Sequence, residues 1–312
     1  MSWVFLAGDR VFKLKKPVRF PYLDFSSLER RAAACRAEDR LNRRLAPDVY
    51  LGVLPLTLSP AGLALGGAGT VVDWLVVMRR LDEDGTLERA LLEGRLRPVD
   101  VDRIAVALAA FYRHARRVSS RPEVALAEWR KALVRNRRVL LDPRLGLPRG
   151  AVERIDRAQR RFLARRAHAI VRRVRRRFIV DAHGDLRPEH VWLREPVTII
   201  DCLEFDARLR ALDPLDEIAF LDLECSRLGA PWVGERLRRR LAGLLDDRPS
   251  TGLFLFYRCH RATLRARLSI AHLLDPSPRT PEKWPRLARL YLRQAEADAA
   301  RLERLLRRPS GP

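Results

Sequence analysis

Two short apolar runs, each ending in an aspartate, constrain this chain more than any other feature. Phe178-Ile-Val-Asp-Ala-His183-Gly184-Asp185 is the first, and Val197-Thr-Ile-Ile200-Asp201 follows so that its aspartate lies sixteen residues after Asp185. Both runs read as strands that stop at a turn, and Gly184 supplies the backbone freedom that such a turn needs. Were the two strands neighbours, the carboxylates of Asp185 and Asp201 would meet at the mouth of a cleft. That pairing suits phosphoryl transfer, in which a protein mostly positions groups and neutralises charge. One carboxylate orients an acceptor hydroxyl and takes its proton. The other holds Mg2+, a hard cation that prefers oxygen ligands.

The remaining elements predict an α+β chain in two unequal parts. Residues 3–7 and 11–16 read as a hairpin turning at Ala7-Gly8-Asp9-Arg10. Ser26-Ser-Leu-Glu29 has the form of a capping box opening a helix to about Leu45, with Leu28, Cys35, Leu41 and Leu45 on its apolar stripe. Glu38 falls on that same stripe, and a carboxylate on an inward face needs a partner. Residues 49–58 and 71–78 read as two more strands. Between them Gly62 to Thr70 is glycine-rich, but it lacks the G-K-[ST] ending of a phosphate loop and reads as a hairpin connection. Asp82-Glu-Asp-Gly85 is a polar break, taken as the boundary between a small part, 1–82, and a helical part, 83–312. Beyond it, helices are predicted at 100–117, 123–140, 151–177, 214–228, 233–246, 251–274 and 284–307 from their apolar spacing.

Charge and cysteines bound the partners. The net charge is +23, and of 62 basic residues only five are lysines. Such a balance attracts anions without choosing among nucleotides, phosphorylated metabolites and nucleic acid. Arg165 to Arg177 crowds one helix face, which is read as a solvated surface more readily than as a phosphate-binding one. No aromatic-basic interleaving accompanies it, so nucleic acid ranks last among the partners. Three of the five lysines, Lys13, Lys15 and Lys16, share one four-residue window, where a compact point charge is retained in an arginine-rich chain. Cys35, Cys202, Cys225 and Cys259 lie far apart, which argues for buried thiols and against disulfides or a zinc site. No apolar run approaches the roughly 20 residues that span a bilayer, and Trp3 to Ala7 is too short for a signal-peptide core. A cytoplasmic protein with no membrane partner is expected.

The motif His183-Gly-Asp-Leu-Arg-Pro-Glu-His190, the downstream Ile-Ile-Asp201 and Asp213-Pro-Leu-Asp216-Glu217-Ile-Ala219 together resemble the aminoglycoside phosphotransferase, choline kinase and fructosamine kinase group. With Val11-Phe-Lys13-Leu-Lys15-Lys16-Pro17, the chain looks most like the bacterial aminoglycoside phosphotransferase family enzymes of undefined substrate, over most of residues 1–230. Members are often fused to a C-terminal P-loop kinase-like domain, and no P-loop sequence occurs here. The resemblance implies the protein-kinase-like fold, with a small β-rich N-lobe and a large helical C-lobe that carries the catalytic loop. It implies ATP and Mg2+ as cofactors. Asp185 would be the catalytic base, His183 a loop-shaping residue and Asp201 the Mg2+ ligand. Lys13 would contact the nucleotide phosphates with Glu38 as its ion-pair partner, so the inward-facing carboxylate found from spacing and the family pattern converge. Lys15, on the same strand face, stays open as an alternative, and Met78 at the end of the fourth strand joins the nucleotide-binding set.

Three positions depart from the family pattern. His190 stands where a metal-binding asparagine is usual, and imidazole is a poor Mg2+ ligand; it would serve the metal, hydrogen-bond a metal-bound water or a phosphate, or only pack beneath the loop. The first strand of the small lobe has no room before Ser2. The group that braces the catalytic loop is Asp216 or Glu217.

The expected function is an ATP- and Mg2+-dependent phosphotransferase acting on a hydroxyl of a small molecule. The alternative is a nucleotide-binding pseudokinase that regulates a partner. Trp129, Trp232, Tyr257, His260 and Trp284 are candidates to line an acceptor pocket or to fill core. A cationic aminoglycoside would require acidic groups concentrated locally in this basic chain, so drug resistance does not follow from the family name.

Overall fold

The computed structural model describes residues 1–20, 23–275, 277–278 and 280–307. They group into two compact units: Met1–Ala115 with Asp181–Ala211, and Arg116–Val180 with the described residues from Leu212 onward. The boundary expected after residue 82 falls inside the first unit, because the segment carrying both aspartates packs with the N-terminal sheet.

In the first unit, β1 (Ser2–Ala7), β2 (Arg10–Lys15), β3 (Tyr50–Ser59), β4 (Gly62–Leu65) and β5 (Thr70–Arg79) form an antiparallel sheet in the order β1-β2-β5-β3-β4. The hairpin is as expected, Ala7 pairing with Arg10 across a turn in which Gly8 takes a φ of +58°. The glycine-rich stretch adds a strand that spacing did not predict, β4. Its last glycine answers to backbone crowding: at Gly69 a Cβ would sit 2.5 Å from the Leu58 carbonyl oxygen.

Helix α1 (Leu28–Asn42) packs on β5 and β3. Its N-cap is Ser27, whose hydroxyl accepts from the Arg30 N–H at 3.4 Å. Ser26, expected in that role, instead donates from N–H and hydroxyl to Asp24. Cys35, Val49, Tyr50, Val76 and Met78 form the core beneath the helix, with Ile200 against it. Two helices, α2 (Leu87–Leu92) and α3 (Pro98–His114), follow. The short α2 escaped the sequence reading because six residues hold too few turns to show a period. A two-stranded ribbon of β6 (Val191–Trp192) and β7 (Thr198–Ile199) completes the unit.

The second unit contains six α-helices among the described residues: α4 (Pro122–Leu140), α5 (Arg149–Arg175), α6 (Pro214–Arg227), α7 (Trp232–Leu244), α8 (Thr251–Ala271) and α9 (Lys283–Arg307). Each lies within three residues of its expected bounds, since long amphipathic helices declare themselves by period. Leu140, Ile155, Phe220, Leu223, Ala266 and Leu292 belong to its main core. Trp129 contacts Phe256, Tyr257 and His260 at centroid separations of 5.1, 5.4 and 4.8 Å, so three of the acceptor-pocket candidates share one aromatic cluster. Trp284 stacks on His272, and Trp232 is exposed.

This unit is also laced with buried ion pairs. Arg173, placed by sequence on a solvated arginine face, is buried and donates to Asp213 at 2.7 Å and to Asp247 at 2.6 Å. Arg261 takes both carboxylate oxygens of Asp216, at 2.8 and 2.9 Å. Arg258 bridges Asp222 and Asp298. Burial pushes the Asp298 carboxyl from 3.8 up to about 6, with Arg258 opposing the shift. A carboxyl that holds its proton more tightly folded than unfolded lowers stability as pH rises through that interval. Asp298→Asn is therefore expected to flatten the pH dependence of stability between about pH 4 and about pH 6. Urea denaturation stepped across the range reads this, and an unaltered slope would place the titration elsewhere.

Among the described residues, no helix is long and apolar enough to cross a membrane.

Candidate active site

The loop after Ala182 is built by His183 and Gly184. His183 is fully buried; its Nε2 lies 2.9 Å from the Ile200 carbonyl and its Nδ1 accepts the Asp185 N–H at 3.3 Å. One nitrogen donates and the other accepts, so the ring is neutral, and burial lowers its pKa to about 3. Gly184 has a φ of +91°, and a Cβ there would meet Leu203 at 3.0 Å and the Arg210 side chain at 3.2 Å. Gly184→Ala is thus opposed by both backbone and packing. It is expected to cost about 1–3 kcal/mol, measurable as a lower denaturation midpoint.

The two aspartate-bearing segments are neighbours, as their pattern suggested. Leu203 N–H donates to the His183 carbonyl at 3.1 Å and Ile200 N–H to the His190 carbonyl at 3.0 Å. Asp185, part-exposed, accepts from Arg187 Nε at 3.2 Å. Arg187 is a hub: it pairs with Glu189 at 2.7 Å, and its Nη2 lies 3.2 Å from His190 Nε2. His190 Nδ1 lies 2.9 Å from the Asp185 carbonyl, and Nε2 is 3.6 Å from Asp201 Oδ2. A guanidinium can only donate and a carbonyl can only accept. That fixes Nδ1 as the protonated nitrogen and leaves Nε2 as an acceptor, so the histidine organises the loop between the two aspartates.

Asp201 occupies a left-handed conformation, φ +66°, which aspartate tolerates better than most residues. Its N–H donates to the Tyr50 hydroxyl at 3.3 Å, and its carboxylate receives Lys13 Nζ at 2.8 Å. Lys13 also pairs with Glu38 at 2.5 Å. Burial alone would raise the Asp201 carboxyl, but Lys13 holds it well below the ordinary carboxylate range. Burial would likewise lower the Lys13 ammonium, yet Glu38 and Asp201 raise it well above its ordinary value. Lys15 bonds both Glu38 and Glu204.

The C-terminal end of α1 holds these pieces together. Asn42 donates to the Glu38 carbonyl at 2.9 Å and accepts the Cys202 N–H at 2.8 Å. Arg44, just beyond it, donates to the carbonyls of Asp181 at 2.7 Å and Ala182 at 3.1 Å. Arg210 donates to Asp181 Oδ1 at 2.8 Å and to the Leu203 carbonyl at 2.6 Å.

Of the residues named from sequence, Lys13, Lys15, Glu38 and Asp201 form one ionic cluster, and His183, Asp185 and His190 one loop beside it. Met78 packs in the core with Tyr50 and Cys35. Asp216 is committed to Arg261, and Glu217 is buried. The backbone of the segment leading into the loop is held by Arg44. Sequence reading missed Arg44, Asn42, Tyr50, Arg187 and Glu204. Asn42 had a signal, since it lies one helical turn beyond Glu38 on the same face; Glu204 had another, as a further acid just after Asp201.

Known proteins bear on the fold of this chain. No protein-family profile matches the chain. Uncharacterized proteins of Mycobacterium tuberculosis and Mycobacterium bovis are 34% identical over 284 residues, covering 88% of this chain and 54% of theirs. The chain thus spans about half the length of the curated relatives it matches. Among solved structures, a Ralstonia eutropha protein described as an aminoglycoside phosphotransferase superimposes with a TM-score of 0.51 at 11% identity, over 96% of this chain and 92% of its own. A Plasmodium vivax ethanolamine kinase gives 0.51 at 9% identity, over 93% and 75%. The chain has the α+β, protein-kinase-like fold of small-molecule phosphotransferases.

Proposed function

We propose that this chain transfers the γ-phosphoryl group of ATP, with Mg2+, to a hydroxyl of a small molecule. The observation that carries the reading is the conjunction of Lys13 on both Glu38 and Asp201 with a loop whose His190 lies between Asp201 and Asp185, 3.6 and 3.8 Å from their carboxylates. Phosphoryl transfer asks a protein for little covalent chemistry and much placed charge, and this cluster is placed charge.

Asp185 is the group that orients the acceptor hydroxyl and accepts its proton. Arg187 fixes that carboxylate and sets a permanent positive charge next to the transfer point. Lys13, the more accessible of the two clustered lysines, holds the α- and β-phosphates, and Glu38 steers it. His183 carries no charge and keeps the loop in shape.

The donor chemistry fits magnesium through Asp201: its half-exposed carboxylate offers oxygen, and Mg2+ is commonly held by one or two carboxylates together with substrate phosphates. Magnesium would supply charge neutralisation on the phosphate oxygens. His190, with both ring nitrogens engaged in the loop, serves Asp185 and Asp201 as an organiser in this reading. Among the described residues, no group of three or more His, Cys, Asp or Glu side chains forms a metal cage.

The test is ATP consumption across a panel of hydroxylated metabolites, with thermal stabilisation by ATP and Mg2+ measured in parallel. Turnover that depends on one acceptor supports the reading. Absence of both turnover and stabilisation sinks it. The engagement of His190 favours one second reading, a nucleotide-binding regulator, for which stabilisation would occur with no acceptor supporting turnover.

A further inference from the structure

Lys13 and Lys15 stand two residues apart on β2, so both face the same side of the sheet. They divide one carboxylate: Lys13 pairs with Oε1 of Glu38, and Lys15 with Oε2. Their surroundings differ. The Lys13 side chain is 16% exposed and reaches Asp201, which is 48% exposed. The Lys15 side chain is 3% exposed and reaches Glu204, with the Phe25 ring centroid 5.4 Å from its ammonium. Lys15 therefore faces only groups of the chain itself, whereas Lys13 stands at the open end of the cluster.

Glu38 is essentially inaccessible to water, and a buried carboxylate left without a cation is strongly unfavourable. A site with Lys13 alone would strand Glu38 each time that lysine turned to a polyphosphate. We propose that Lys15 is a positioning residue, the permanent counter-ion of Glu38 anchored by Glu204, whose role is to release Lys13 to the phosphates of a nucleotide. This rests on the phosphotransferase reading for its ligand, though its charge bookkeeping does not need turnover. Five charges alternate along the cluster: Asp201, Lys13, Glu38, Lys15, Glu204. Removal of Lys13 leaves Glu38 paired through Lys15. Removal of Lys15 leaves Glu204 bare and makes Lys13 the sole partner of Glu38, held where it cannot turn.

The experiment compares Lys13→Met, Lys15→Met, and Lys15→Met combined with Glu38→Gln. Stability of the nucleotide-free protein is read by urea denaturation, and MgADP binding by titration calorimetry. Lys13→Met is expected to denature at a midpoint between those of wild type and Lys15→Met, since Asp201, which it leaves unpaired, is half-exposed, while MgADP affinity falls at least tenfold. Lys15→Met is expected to denature at clearly lower urea and to bind MgADP about tenfold more weakly through Lys13. The combined variant regains part of the stability and part of the affinity, because a neutral residue 38 no longer detains Lys13. If Lys15→Met does not fold, the combined variant carries the test. Equal destabilisation by Lys13→Met and Lys15→Met overturns the proposal, as does lost MgADP affinity in Lys15→Met at unchanged stability, which would make Lys15 a direct ligand. Wild-type protein that binds no MgADP refutes the phosphotransferase reading, while the stability comparison still judges the counter-ion role.

Discussion

Asp185→Asn is expected to lower kcat by about 100- to 10,000-fold, the range that a positioned proton acceptor contributes, while leaving the fold and nucleotide affinity near wild type. The amide keeps the size of the carboxylate and an oxygen that can accept from Arg187, so the bond now at 3.2 Å survives. The Asp185 N–H still reaches His183, and the His190 ring still meets the Asp185 carbonyl. What disappears is the ability to take a proton from the acceptor hydroxyl. Single-turnover phosphoryl transfer, together with nucleotide titration, separates loss of chemistry from loss of binding. An asparagine variant as active as wild type would remove Asp185 from the reaction, and with it the proposed mechanism.

Asp201→Asn is the second large effect. Asparagine accepts a left-handed backbone about as readily as aspartate, so the φ of +66° adds little penalty. The charge, however, is the partner of Lys13 and the oxygen donor proposed for magnesium. A few kcal/mol of lost electrostatic stabilisation corresponds to about 100-fold or more in kcat/KM for ATP. The stabilisation of the protein by ATP should also lose its dependence on magnesium, which a thermal melt with and without the metal reports directly. The folded carboxyl lies well below its ordinary value. It therefore contributes stability above the ordinary carboxylate range that is lost as pH falls towards the folded value, and Asp201→Asn should remove that part of the acid sensitivity. Magnesium-dependent stabilisation that persists in the variant would assign the metal elsewhere.

The long helices were legible because apolar residues recur over many turns, as in α5 and α9. The hairpin of β1 and β2 was legible from its turn residues; the two apolar runs before Asp185 and Asp201 became only two-residue strands, Val180–Asp181 and Thr198–Ile199, which do not pair with each other. Glu38 was legible as a carboxylate on an apolar stripe. The six-residue α2 carried too little pattern, and β4 hid in a glycine-rich stretch whose composition described its turns better than its pairing. Ser27 displaced Ser26 as N-cap because Asp24 captured the latter, a tertiary choice between two adjacent serines. Arg173 was misassigned because a run of arginines looks alike from the chain alone. Only folding sets one of them against Asp213 and Asp247 while its neighbours remain outside. Met78 sits beneath α1 for a similar reason: a strand end reads the same from either side until the helix covers it.

Helix α1 ties the site together mechanically. Near its middle, Glu38 gathers the two lysines; one turn on, Asn42 grips the segment after Asp201; two residues past its end, Arg44 grips the segment before His183. One stiff rod of fifteen residues thus serves as a common axle for Lys13, the cation proposed to hold the nucleotide phosphates, and for both aspartate-bearing segments. A rotation or shift of that rod has no way to disarm one half alone. Displacing that rod would move these three grips together.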